Sequence, residues 1–294
     1  MQSQYLIPKF VASIFLGLVL ANISIEASAQ INSLKKFAIE DFSDVGRVKQ
    51  VIELDPKVIQ TAENFRPEGF DLLPGKLLRV SLKKEFVHQG QMTHSTTETV
   101  ESAKGALGYF VIKTKENLPK MENFWITNHV LTSLNFLQLA WRNHSDWKPS
   151  VGSDSITDRT GYVTELKLPL QFESALRPGA NWGYEFIFEM ESSSFQGVET
   201  RKSGTLKYIV EECRNEQETP ASDLHNKLTG KMIVVQCQSK VAEIGNYAKF
   251  AYLKDYGFFM PMERRNGLDS SIPKTTIIYK ISDIEFAPTM TKSN

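Results

Sequence analysis

The chain has 294 residues, 34 basic and 34 acidic side chains, and 41% hydrophobic residues. Zero net charge removes the general electrostatic case for nucleic acid or an anionic membrane surface as partner. The apolar content supports a real core and excludes bulk disorder.

Residues 1–29 read as a signal peptide. Lys9 supplies a positive n-region, Val11 to Ile23 an apolar h-region, and Ala27-Ser28-Ala29 the small-x-small exit. The apolar stretch is shorter than the about 20 residues that span a bilayer, so cleavage fits better than anchoring. Cleavage after Ala29 predicts a periplasmic or secreted protein starting at Gln30, with no transmembrane segment left. No cysteine lies near the site, so lipoprotein attachment there is excluded.

Residues 30–70 form a mixed segment. GRVKQVIELD, Gly46 to Asp55, alternates weakly as a strand. Asp55-Pro56 resembles an N-cap followed by proline at the first helical position, predicting a short helix to about Asn64. Pro67 and Gly69 end it.

From Leu72 onward β character dominates. LLRVSLKKEFV is a strand, Gln89-Gly90-Gln91 a turn, and the Thr-rich MTHSTTETVE a solvent-facing strand. YFVIKTKE follows. Phe124 to Trp141 is a longer apolar stretch, a strand pair or partly helical, which periodicity alone does not decide. Arg142 to Arg159 is rich in Ser, Asp, Asn, Pro and Gly and reads as a loop. YVTELKLPLQF, Tyr162 to Phe172, closes this half as a strand.

The second half repeats the plan. LRPGANWGYEF at Leu176 answers LLPGKLLRVSL at Leu72, and TTIIYKISDIEF answers YVTELKLPLQF. This suggests two similar five-strand units, 71–172 and 173–288, with a tail at 289–294, though β meanders with Pro-Gly turns can also look alike without duplication. The fold class is therefore mainly β: an antiparallel meander of about ten strands, as one curved sheet or two similar repeats, with a short N-terminal helix.

There are two cysteines, Cys213 and Cys237. An oxidising compartment favours pairing them. If they face each other across a hairpin, its turn centres on His225, inside the polar stretch Pro220 to Leu228. The spacing is not Cys-x-x-Cys, so a structural bond is expected.

Chemical motifs are sparse. G-x-S-x-G, H-E-x-x-H, a P-loop and G-x-G-x-x-G are absent. The histidines, His88, His94, His129, His144 and His225, are scattered and no metal ligand set is expected. Asn143 to Trp147 and Gly152 to Asp158 hold Ser, His and Asp, but triads are assembled in space, so proximity in sequence is no support. Tyr247, Phe250, Tyr252, Tyr256 and Phe258 crowd one segment. They read either as core filling or as an apolar groove for a lipid or peptide.

Pro220-Ala221-Ser222, KMIVVQCQ, Tyr252 to Phe258 in YLKDYGF, and the upstream PGANWGYEF together resemble a group of uncharacterised exported bacterial antiparallel β proteins, over about residues 176–286. Ser222 departs from the usual glycine of that turn. The resemblance implies a curved envelope sheet and supplies no catalytic residue. The expected function is an exported, non-enzymatic envelope protein that takes an apolar ligand, a lipid or a partner chain on its concave face, without a cofactor. A structural module without a pocket, or an exported hydrolase, are the alternatives.

Overall fold

The computed structural model describes residues 36–38 and 51–287, apart from 104–105, 118–122, 151, 153, 170, 196–198, 242–243 and 267–274. The predicted signal peptide lies outside the described residues.

Two short strands, β1 (Lys36–Ala38) and β2 (Val51–Glu53), pair antiparallel. Helix α1 (Pro56–Asn64) follows where the sequence places it. The Asp55 side chain accepts from the Lys57 amide at 2.7 Å, and Val58, Ile59 and Ala62 are buried. The capping carboxylate satisfies one of the amides left free at a helix start.

The remaining strands are β3 (Leu77–His88), β4 (Gln91–Ser102), β5 (Tyr109–Asn117), β6 (Phe124–Ser133), β7 (Leu137–Trp147), β8 (Ser155–Lys167), β9 (Asn181–Phe195), β10 (Glu199–Pro220), β11 (Lys231–Val241), β12 (Ile244–Leu253), β13 (Phe258–Asn266) and β14 (Thr275–Phe286). A four-residue helix α2 (Phe172–Ala175) separates β8 from β9. The strands are antiparallel throughout, as expected, but they form a closed twelve-strand barrel and not an open meander of about ten.

Of the two readings of Phe124 to Trp141, a strand pair or a partly helical stretch, the strand pair is the one formed: a hairpin turning at Leu134 and Asn135, both with positive φ. That adds a strand to the first half, and β12–β13 adds one to the second, so each Pro-Gly entry leads into six sequential strands. The strands reach further into Arg142 to Arg159 than expected: β7 runs to Trp147 and β8 starts at Ser155, paired from Trp147↔Ser155 to Arg142↔Thr160. The polar residues at the two ends of this stretch are strand positions, which composition does not distinguish from a loop. The closing strand stops at Lys167, and Phe172 starts α2. Finally, β14 pairs with β3 over almost its whole length, from Thr275↔His88 to Phe286↔Leu77. Closure removes the two rows of unpaired backbone groups that an open sheet would leave at its edges.

The Cys213–Cys237 disulfide is present, and the two residues face each other across β10 and β11. The hairpin turns through Ala221–Gly230, around His225, with Ala221 and Leu228 buried.

One end of the barrel is filled. There the β12–β13 tip is buried on both faces. Phe250, Tyr252 and Phe259 belong to a core with Phe136, Phe172 and Trp182, while Ala251, Leu253, Phe258 and Met260 belong to a second core with Val80, Leu82, Val100 and Phe110. β13 pairs with β14 only over Glu263–Asn266. Its first residues are held by the β6–β7 turn instead: the Phe259 amide donates to the Leu134 carbonyl at 2.9 Å. The segment between α1 and β3 crosses the same end. Arg66 lies 4.7 Å over the Tyr109 ring, Phe65 packs edge-on against Phe172, and the Gly75 amide reaches the Asp255 carbonyl.

Candidate functional site

Cross-strand partners share a face, so the register identifies the inner wall. One row runs Val80, Val100, Ile112, Val130, Trp141, Gly161, Met190, Gly204 across β3 to β10. Val80 and Val100 are buried, whereas Ile112, Val130, Trp141 and Met190 are half-buried and Gly204 is exposed. This is an apolar belt with its side chains only partly covered. Tyr184 and Tyr208, half-buried on the same face, continue it on β9 and β10.

Two residues nearer the other end, the parallel row is polar. It reads Leu82, Glu98, Thr114, Asn128, Asn143, Arg159, Ser192, Lys202. Asn143 donates to Asn128 at 2.6 Å. Lys84 is buried and meets Glu116 at 2.9 Å and Glu98 at 3.5 Å. Burial works against its charge, but Glu98, Tyr279 and Glu116 outweigh it and hold its pKa above the ordinary lysine value.

Arg264 faces the same interior from β13, beside Ala248 and Ile277. Its guanidinium lies 5.9 Å from the Tyr279 ring. It is accessible to water yet surrounded by the barrel: Tyr279, Glu98, Tyr208 and Tyr184, from opposite walls, bear on its charge. Tyr279 raises its pKa most, and burial opposes this. Among the described residues it makes no ion pair within 4 Å.

A barrel of eight strands is just wide enough for side chains to fill, and the diameter grows with strand number. Twelve strands therefore leave room that must be plugged, flattened or wet. Here Phe136, α2 and the β12–β13 tip plug one end, and the belts beyond them stay partly exposed. A Cβ built on Gly204 meets nothing within 4 Å.

The five aromatic residues expected to line a groove do not share one. Phe250 and Tyr252 are buried on one face of β12, and Phe258 on the opposite face of β13, edge-on to Phe110 at 4.8 Å. Tyr256 is buried in the turn, its hydroxyl accepting from the Thr229 amide. Tyr247 lies on the outer wall, 4.9 Å beneath Arg265. They form floor, turn and outer surface. The inner wall's own residues were legible only as alternation in WGYEFIFEM, where Trp182, Tyr184, Phe186, Phe188 and Met190 take every second position.

His144 meets Asp158 at 2.8 Å, with Arg142 at 3.8 Å from the same carboxylate. This group is on the outer face of β7 and β8, on the opposite side of the wall from the belts. Among the described residues no group of three or more His, Cys, Asp or Glu is placed to hold a metal ion.

Compared with known proteins, the chain matches no family model, no curated protein and no solved structure.

Proposed function

We propose that this is an exported, non-enzymatic carrier that holds an apolar ligand inside the barrel. The observation that carries the reading is the partly exposed apolar belt, Ile112, Val130, Trp141, Met190 and Tyr208, above a plugged floor in a ring too wide to fill itself. Concave, mostly apolar sites with a few placed polar groups are the usual form of small-molecule sites.

The outer wall supports a water-surrounded barrel. Arg79, Glu101 and Lys113 form an ion-pair ladder across β3, β4 and β5. Glu85 is paired with Lys83 and Lys280, and Glu185 with Lys207. Lysine and arginine facing lipid at mid-bilayer cost about 2–4 kcal/mol each. A leader peptide and a disulfide both fit an oxidising compartment outside the cytoplasm.

The test is binding of a neutral apolar fluorophore, N-phenyl-1-naphthylamine, to the disulfide-bonded protein. Enhanced emission that Gly204→Trp abolishes is expected, because that side chain would occupy the open space over the belt. No enhancement with the wild-type protein would overturn the reading.

A further inference from the structure

Resting on that reading, we infer that the ligand is a single-chain amphiphile with an anionic head, a medium-chain carboxylate, seated with its chain on the Val130–Trp141–Met190 belt and its head at Arg264. Two observations on the inner wall lead here, one of layering and one of charge.

The layering is a matter of register. The apolar row and the polar row are adjacent inner-face rows, two residues apart along each strand, or roughly 7 Å. The apolar row is next to the floor and the polar row is nearer the other end. A wholly apolar ligand would leave its upper end against Asn128, Asn143 and Arg159, displacing their water without replacing its hydrogen bonds, which costs free energy. An amphiphile matches both rows at once.

The charge selects the sign of the head. The described inner face of this half carries Lys84, Arg159, Lys202 and Arg264 against Glu98 and Glu116. Lys84 is already engaged by both carboxylates. Arg264 is not paired within 4 Å among the described residues, and its guanidinium lies 5.9 Å from the Tyr279 ring. The chain as a whole is neutral, so this basic excess is a property of the inner wall alone. A guanidinium facing the barrel interior, with no carboxylate within 4 Å among the described residues, is suited to take a ligand carboxylate by two parallel hydrogen bonds. A cationic head would meet Arg264, Arg159 and Lys202 with repulsion, and a neutral one would offer the guanidinium no charge-assisted hydrogen bond.

The experiment is displacement of N-phenyl-1-naphthylamine from the full disulfide-bonded chain by decanoate and by decanol, which share a chain and differ in the head. Decanoate should displace the probe at a concentration about 10- to 100-fold below decanol, the range of a charge-assisted hydrogen bond. Arg264→Gln should erase that preference while still binding the probe, and Arg264→Lys should restore part of it. Equal potency of acid and alcohol on the wild-type protein would overturn the head-group assignment and leave the carrier standing. So would an acid preference that survives in a folded, probe-binding Arg264→Gln. Wild-type protein that binds neither probe nor decanoate would overturn both. The acid-to-alcohol comparison on the wild-type chain decides the matter even where a variant fails to fold.

Discussion

The backbone of Phe259 is completed by the β6–β7 turn: its amide donates to the carbonyl of Leu134 at 2.9 Å, and its own carbonyl accepts from the side chain of Asn135 at 2.9 Å. This is how a strand buried on both faces, without its β14 neighbour there, keeps its polar groups satisfied. Asn135 also tolerates the left-handed backbone the turn requires.

Asn135→Ala should therefore destabilise the protein by about 1–3 kcal/mol, the cost of leaving a buried carbonyl without a donor. Urea unfolding reads it. A change below a few tenths would show that the turn does not hold β13.

Reduction of Cys213–Cys237, or replacement of both by serine, should cost about 3 kcal/mol for a closed loop of this length. Non-reducing peptide mapping of exported protein should find the two peptides linked. Free thiols at both positions in oxidised material would contradict the register of β10 on β11.

Two glycines of one row should respond oppositely. A Cβ on Gly161 would lie 2.5 Å from Nε1 of Trp141, whereas one on Gly204 has open space. Gly161→Val should destabilise by about 1–3 kcal/mol through overpacking and shift tryptophan emission. Gly204→Trp should leave stability nearly unchanged. Similar losses at both sites would mean the interior is closed at Gly204.

Alkaline pH should weaken the fold. Burial raises the pKa of Tyr109, Tyr184, Tyr252 and Tyr279, and a hydrogen bond to Glu189, helped by burial, pushes Tyr162 up to about 12. Raised folded pKa values stabilise fully below the unfolded value near 10, and that stability is lost as pH rises above it, because only the unfolded chain ionises there. Absorbance at 295 nm should show part of the tyrosines titrating late in native protein and all near pH 10 in guanidinium. A single native midpoint near 10 would refute this.

Export predicts a mature N-terminus at Gln30. N-terminal sequencing of protein recovered from cells decides it, and an intact Met1 on a membrane-embedded species would sink the idea.

The sequence by itself determined what local chemistry determines. Asp55-Pro56 sets a helix start because cap and fixed φ act on neighbouring residues. Alternation in LLRVSLKKEF and WGYEFIFEM marks strands with one covered face. The spacing of Cys213 and Cys237 about a polar stretch identifies a hairpin and its facing pair. Only the tertiary structure decided the rest. Closure depends on β14 meeting β3, nearly two hundred residues apart, and nothing in either strand alone names its partner. The Leu134-Asn135 turn carries no Gly or Pro, so the sequence did not decide between a strand pair and a partly helical stretch there. The aromatic run Tyr247–Phe258 read either as core filling or as one groove, because its residues are close in sequence. The register sends alternate members to opposite faces, and the β12–β13 tip buries both. Arg264, Arg159 and Lys202 lie on three separate strands, β13, β8 and β10, and come to face one interior only when the ring closes.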